Sequence, residues 1–537
     1  MAATVAPVAP TRTGRNDFTV STSVFLRLLA LVHLVAFVSF WTQLEGLVGP
    51  HGLLPAQPFF NAVHASLGNE AWLRLPSLCW LFGAGKFLSV LCAAGVVLSL
   101  LLFAGVAPAL CLFLLWVAYL SLVGAGQTFF NFQWDALLLE TTLLAIWLAP
   151  WSLLPWWHRA APPRLARWLL GWLLFRLMFL SGFVKLASGD PTWRDLSALT
   201  FHYETQPLPT PLAWYVHQLP AWFHRASCAG MFAVELVVPF FLFAPRALRH
   251  NAALLLIAFM AAIALTGNYT YFNFLAVALC LLALDDAWWA SASRPIAARF
   301  SPRAIPAPPP PSPPPRPSLS PSPSVAFQSF PRGCQLLVDN LAGPTRWVRV
   351  APRWSLGVFA AVVVPCTALQ AIPSIARRPL FPAALARVDD LLGPFRSFNN
   401  YGLFAVMTNP RPELIFEGSD DGRDWQPYEF PDKPGDLARR PTWVAPFQPR
   451  LDWQLWFAAL GPPSQNPWVL TFCEHLLRGT PEVLALIAKN PFPKHPPRFV
   501  RVVRYEYHFT DAATRARTGQ WWRRTPLDFY LERVSLR

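Results

Sequence analysis

The chain has 537 residues, 54% hydrophobic and 14% charged, with a mean hydropathy of +0.35 and a formal net charge of +15. Soluble globular proteins carry about 25% charged residues, so a wholly water-soluble fold is excluded. The positive balance does not imply nucleic acid, because the basic residues flank apolar stretches and form no contiguous, aromatic-interleaved patch.

Taken in chain order, residues 1–23 read as a disordered tail without a cleavable secretory signal, and Arg12 and Arg15 precede a retained signal anchor. Charge-poor stretches follow at 24–41, 78–102, 106–123, 134–149, 168–187, 226–244, 251–266, 271–284 and 356–372. Roughly 20 apolar residues cross the hydrocarbon core as a helix, so the chain is expected to be an α-helical polytopic bundle of about nine transmembrane helices. The segments 134–149 and 271–284 are the shortest and could instead be tilted, re-entrant or buried.

Arginine is concentrated on one side of these spans. With the N-terminus inside, Arg159, Arg164, Arg167, Arg246, Arg249 and the run from Arg294 to Arg353 are cytoplasmic, while the opposite loops hold Arg74, Arg194 and Arg225. The bundle therefore covers 24–290, with a non-cytoplasmic loop at 188–225. A cytoplasmic linker follows at 291–355, with a proline-rich segment at 302–324 that favours polyproline II. The last span, 356–372, then carries the C-terminal part across the membrane.

From 385 to 537 the composition becomes that of a globular domain, β-rich with a short helical insertion, an α+β domain on the non-cytoplasmic side. Residues 413–430 read as two strands joined by a turn at Ser419-Asp420-Asp421-Gly422, and 498–510 as a further strand. Between them lie two helices: Gly479 ends the first, while Thr480 caps the second and Pro481 opens it.

Ionisable groups inside the spans need a reason, since each costs about 2.5–3.5 kcal/mol on insertion scales. Glu140, Glu235 and Arg176 are read as cross-helix pairs; the alternative is a polar cavity lined by Lys185, Asp135 and Glu140, with Lys185 as a base. The loop 188–225 is dense in Trp, His, Tyr and Pro and reads equally as an interfacial cap or as a binding surface. No GxSxG, HExxH, Walker A or GxGxxG motif is present. The His202-Tyr203-Glu204 spacing does not define a metal site, and the eight cysteines include no CxxC pair, so no metal, cofactor or disulfide framework is expected.

Longer strings then carry a resemblance. GLLP (52–55), FQWDALLLET (132–141), FRLMFLSGFVKL (175–186), WRDLSALTFHYETQPLPTP (193–211), ELVVPFFLF (235–243), YEFPDKPGDLARRP (428–441), RLDWQLWFAAL (450–460) and PPRFVR (496–501) resemble the lipase maturation factor family, in order and nearly end to end. The resemblance implies a membrane-embedded factor that helps secreted lipases fold and assemble. It would sit in the endoplasmic reticulum membrane of a eukaryote, or the inner membrane of a bacterium. The family often carries cysteines around the KPGD…RRP segment, where this chain has Asp432 and Thr442.

The membrane half is more distantly similar to that of vitamin K-dependent carboxylase, through Gly182-Phe183-Val184-Lys185-Leu186. That likeness implies an alternative, a membrane enzyme with Lys185 as base beside Asp135 and Glu140. On the first reading the partners are the lipid bilayer and a secreted client, with no nucleic acid. The expected client contacts are Trp193, Arg194, His202, Tyr203, Glu204, Arg450 and Trp453, because aromatic and arginine side chains dominate interface hot spots.

Overall fold

The computed structural model describes residues 17–153, 161–300, 353–376 and 390–536. Arg12, Arg15, Arg159, the proline-rich segment 302–324, and the expected domain boundary at 385 lie outside these. In chain order the bundle helices are α1 (Thr19–Trp41), α2 (Phe87–Ala104), α3 (Pro108–Ala125), α4 (Gln133–Leu148), α5 (Arg164–Ser188), α6 (Ala198–Thr205), α7 (Pro211–His217), α8 (Ala221–Leu236), α9 (Arg246–Thr266), α10 (Phe272–Leu281), α11 (Asp286–Phe300) and α12 (Arg353–Ala376).

Among the described residues, six helical stretches are long and apolar enough to cross a bilayer: α1, α2, α3, α5, α8 with its 3-10 extension to Phe243, and α9. The pair α10 and α11, bent by 103°, makes up to seven. The bend falls where Asp285 and Asp286 leave the apolar run. Asp286 accepts the Thr19 and Val20 amides at 3.1 and 2.9 Å and so caps α1 from another part of the chain. The expected segment 134–149 is the helix α4, Gln133–Leu148, 16 residues long and largely buried among its neighbours. It is an inner helix, and its acids reside there because partners surround them. Val90, Val97, Leu110 and Phe240 face outward and exposed, an apolar girdle suited to lipid.

The globular part is a four-stranded antiparallel sheet of order β2-β1-β3-β4, with β1 Pro412–Ser419, β2 Gln426–Pro427, β3 Phe499–Phe509 and β4 Trp522–Val534. Helices α13 (Arg450–Ala459), α14 (Trp468–Arg478) and α15 (Ala512–Thr518) accompany it. Apolar residues of β1 alternate onto α14, so Phe416 and Phe472 meet edge to face at 4.9 Å. The α14 helix ends at Gly479 as expected, but the helix after Pro481 is one turn, Pro481–Leu484, and Thr480 makes no side-chain cap. Neither α13 nor β4 was anticipated.

The domain sits on the bundle end away from Arg164, Arg167, Arg246 and Arg249. The N-terminal end of α1 packs against that basic end, where Phe18 lies under Arg167, 3.6 Å from the ring centroid. At the far end of α1, Gln43 donates to Gln448 O and accepts from the Arg450 amide, each at 2.8 Å.

Candidate functional site

Three buried charge centres lie in the bundle, and two of them tie it to residues beyond 390. On α4, Asp135 points to Arg450, the first residue of α13, with oxygens 3.0 and 3.2 Å from the guanidinium nitrogens. Tyr119 and Tyr271 donate to the same carboxylate at 2.5 and 2.7 Å, and the Arg450 guanidinium lies 3.5 Å over the Phe130 ring. One turn further along α4, Glu140 pairs with Arg176 of α5 and also accepts from the Asn399 amide and side chain and from the Tyr401 hydroxyl. Arg176 in turn donates to Asn399 O at 2.8 Å. Glu140 thus anchors an irregular segment around 399–401 threaded among the helices. Non-helical backbone is tolerated at such a place because protein groups satisfy it.

The third centre is Lys185 on α5, whose ammonium donates to Glu235 of α8 at 2.8 and 3.0 Å and to Ser181 O at 3.2 Å. Gly182 explains how the two helices come so close. A Cβ there would stand 2.8 Å from the Glu235 Cβ and 3.0 Å from Leu236, so only glycine admits the approach that seats the pair.

Lys185 and Glu235 form part of the wall of an apolar cavity of about 450 Å³, together with Trp134, Trp193, His202 and Tyr269. Asp135 and Glu140 are not among its lining residues. The expected cavity around Lys185, Asp135 and Glu140 is therefore corrected: each acid is held by an arginine, and Lys185 has Glu235 as its carboxylate. The expected cross-helix pairing of Glu140 with Arg176 is present, while Glu235 takes Lys185 instead.

The loop 188–225 is a cap clamped beneath the globular domain. Trp193 donates to Phe404 O at 3.1 Å, Trp456 to Thr205 O at 3.0 Å and Gln218 to Thr510 O at 3.2 Å. Arg411, fully buried, donates to the carbonyls of Glu204, Gln206 and Pro207 and to Glu413. Glu204 accepts the Phe509 amide at 2.9 Å and lies 3.2 Å from His508. Burial alone would raise Glu204, but His508, His217 and that amide outweigh it and hold the carboxyl below its usual range. The same contact with Glu204 raises His508.

Of the seven expected client contacts, Trp193, Tyr203, Glu204, Arg450 and Trp453 are buried, His202 is half-buried, and Arg194 alone is exposed. Five of them are thus corrected from open surface to internal contacts. Their aromatic and cationic character was read properly, but the surface they recognise belongs to the same chain. Asn268, in a formal glycosylation sequon, is likewise consumed: it donates to Thr442 O and accepts the Val444 and Ala445 amides.

Arg411, Asn399 and Tyr401 were missed as site residues: Glu413 stands two positions from Arg411, but the cap carbonyls that Arg411 holds and the Glu140 that Asn399 and Tyr401 meet lie hundreds of positions away. Asp432 and Thr442 do come together, the hydroxyl 3.5 Å from the carboxylate. Burial, with the neighbouring Asp452 charge, pushes Asp432 up to about 6. The cysteines among the described residues are free thiols.

Comparison with known proteins follows the same division. Residues 20–291 match the family model described as the lipase maturation factor transmembrane domain, and 397–532 the lipase maturation factor C-terminal domain. The chain is 36% identical over 589 aligned residues to Lipase maturation factor 2 of Homo sapiens, covering 95% of this chain and 82% of that protein. Against Lipase maturation factor 2 of Gallus gallus it is 36% identical over 582 residues, covering 95% and 81%. Against Lipase maturation factor 1 of Mus musculus it is 33% identical over 548 residues, covering 98% and 89%. No solved structure matches the chain.

Proposed function

The chain belongs to the lipase maturation factor family, and on that premise we propose that it is a membrane-embedded maturation factor assisting the folding and assembly of a secreted, lipase-like client. The observation that carries this reading is the fixed junction. A globular domain pinned to its bundle by buried pairs is a platform held at the lipid surface, where a translocated client emerges.

The exposed face of that platform is β4. Leu527 and Phe529 are 53% and 56% exposed, and β4 forms one edge of the sheet. An unpaired edge can accept a strand from an incompletely folded partner through main-chain hydrogen bonds. Pro526, Asp528 and Arg533 interrupt the edge against indiscriminate pairing. The basic residues at the opposite end of the bundle support a domain facing away from the cytosol. That side is the lumen of the endoplasmic reticulum in a eukaryote, or the periplasm in a bacterium. Lys185 as a catalytic base is the weaker reading, because the acids it required stand in other centres.

The test is recovery of a secreted lipase with the full-length protein from detergent-solubilised membranes. Retention of the client, weakened by Leu527→Asp with Phe529→Asp while the protein keeps its unfolding midpoint, is the expected result. Undiminished retention by that variant removes β4 as the contact, and lipase activity that is unchanged when the protein is absent removes the function.

A further inference from the structure

The cap segment 210–222 is tied at both ends to the ends of membrane-spanning helices. Thr210 donates its hydroxyl to Leu265 O at 2.7 Å, one residue before α9 ends, and Ala221 opens α8. Both helical stretches are long and apolar enough to cross a bilayer, so the segment between these two ends sits at the depth of the membrane boundary. One face of it is packed. Ala213 and Trp214 are buried, Trp214 meets Trp521 edge to face at 5.4 Å, and Gln218 donates to Thr510 O at 3.2 Å. The other face is open: Leu212, Tyr215 and Leu219 are exposed, and Trp222, in the first turn of α8, is 70% exposed. Apolar and aromatic side chains presented at that depth meet the lipid interface.

On its polar side, Tyr215 borders a groove of about 620 Å³ between the cap and α15. The guanidinium of Arg515 lies in this groove, 3.5 Å from the Trp521 ring centroid, 4.6 Å from that of Trp214 and 5.6 Å from that of Tyr215. Arg440 stands 5.6 Å from the Trp521 centroid as well. Neither arginine has a carboxylate partner among the described residues. Asp511, four positions before Arg515, is spent on capping α15, where it accepts the Thr514 amide at 2.6 Å. Stacked rings cover the faces of a guanidinium and leave its N–H edge to bind. One edge nitrogen of Arg515 donates to the Tyr215 hydroxyl at 3.3 Å, and the hydroxyl keeps its own proton to donate onward. The groove thus offers uncompensated positive charge and aligned donors, the chemistry that holds a phosphate. Tyr215 belongs both to this groove and to the lipid-facing side of the cap.

We propose that this corner is a binding site for an anionic phospholipid of the leaflet on the domain's side. Its phosphate lies in the groove and accepts from Arg515 and Tyr215, while its acyl chains run beside Leu219 and Trp222. A choline head group brings an ammonium that Arg515 and Arg440 repel, so the site prefers a head group of net negative charge. Trp214 and Tyr215 come from the cap, Arg515 and Trp521 from the globular domain, and the bound lipid therefore bridges the two and holds the domain against the bilayer. The site needs no client to form.

The test uses the full-length protein with photoreactive benzoylphenylalanine in place of Leu219, in nanodiscs of equal parts phosphatidylcholine and phosphatidylglycerol. Irradiation is expected to give a protein–phospholipid adduct, identified by mass, in which phosphatidylglycerol is in excess. The same photoreactive residue in place of Leu527, on β4, is expected to give none. Arg515→Gln should lower the excess about fivefold, the effect of one arginine at a charged lipid surface. Arg515→Lys, which keeps the charge, should retain it, and Tyr215→Phe, which keeps the ring and loses the donor, should reduce it. Absence of a lipid adduct at 219, an adduct with a second copy of the chain in its place, or an excess indifferent to Arg515→Gln overturns the proposal. So does an excess lost equally in Arg515→Lys and Arg515→Gln, which would mark Arg515 as a packing residue only.

Discussion

At the scale of single residues, the centre around Asp135 and Arg450 concentrates the largest electrostatic stakes in the molecule. Both side chains are fully buried, so removing one leaves a desolvated charge without its counterpart. Arg450→Met is expected to cost about 3–5 kcal/mol, whereas Arg450→Met with Asp135→Leu should be far milder, because an apolar replacement removes both desolvation penalties. Unfolding midpoints of the two variants in detergent compare them. Asp432 poses the opposite problem. Burial and Asp452 raise it to about 6 in the folded domain, against about 3.9 in an unfolded chain. The folded state therefore binds the proton more tightly. This contribution to stability is full below about pH 4 and is lost as pH rises through about 6. Asp432→Asn should accordingly raise the unfolding midpoint at pH 7.5 and leave it nearly unchanged at pH 4.

At the scale of elements, the clamp between the cap and the sheet decides how the domain is held. Arg411 reaches three consecutive stretches of cap backbone and Glu413 with one planar group. Lysine keeps the charge but cannot span those acceptors with a single nitrogen. Arg411→Lys should therefore loosen α6 and α7 from β3. Faster amide exchange over 198–217 is the measurement, with exchange in α2 unchanged as the internal control. Equal exchange in both proteins would show that the aromatic contacts, Trp214 with Trp521 at 5.4 Å among them, suffice alone.

At the scale of the whole molecule, the direction in which the domain faces sets every functional statement. Positive residues cluster at one end of the bundle and the domain occupies the other, so a reporter active only outside the cytosol, fused after residue 537, should be active. A reporter active only in the cytosol would place the client-facing surface on the wrong side of the membrane. The apolar spans were legible in the sequence because insertion into lipid depends on local composition over about 20 residues, which a linear reading can sum. The family was legible for a related reason, since the resemblance rests on contiguous strings such as YEFPDKPGDLARRP, which a linear reading takes in whole. Gly479 as a helix end was readable too, because a left-handed terminus is a local property.

The same linear reading placed Trp193, Tyr203, Glu204, Arg450 and Trp453 on an open surface, and Asp135 and Glu140 beside Lys185. Partner choice among buried charges is long-range: Asp135 meets Arg450 across 315 positions and Glu204 meets His508 across 304. By itself, then, the sequence determined that this is a helical membrane protein of a particular family with a globular C-terminal domain, because those properties follow from composition and short patterns. Only the tertiary structure decided which charges neutralise one another, which aromatic surface is already occupied, and that an apolar cavity lies between the helices. Those outcomes depend on which distant segments pack together, and desolvation makes each of them matter.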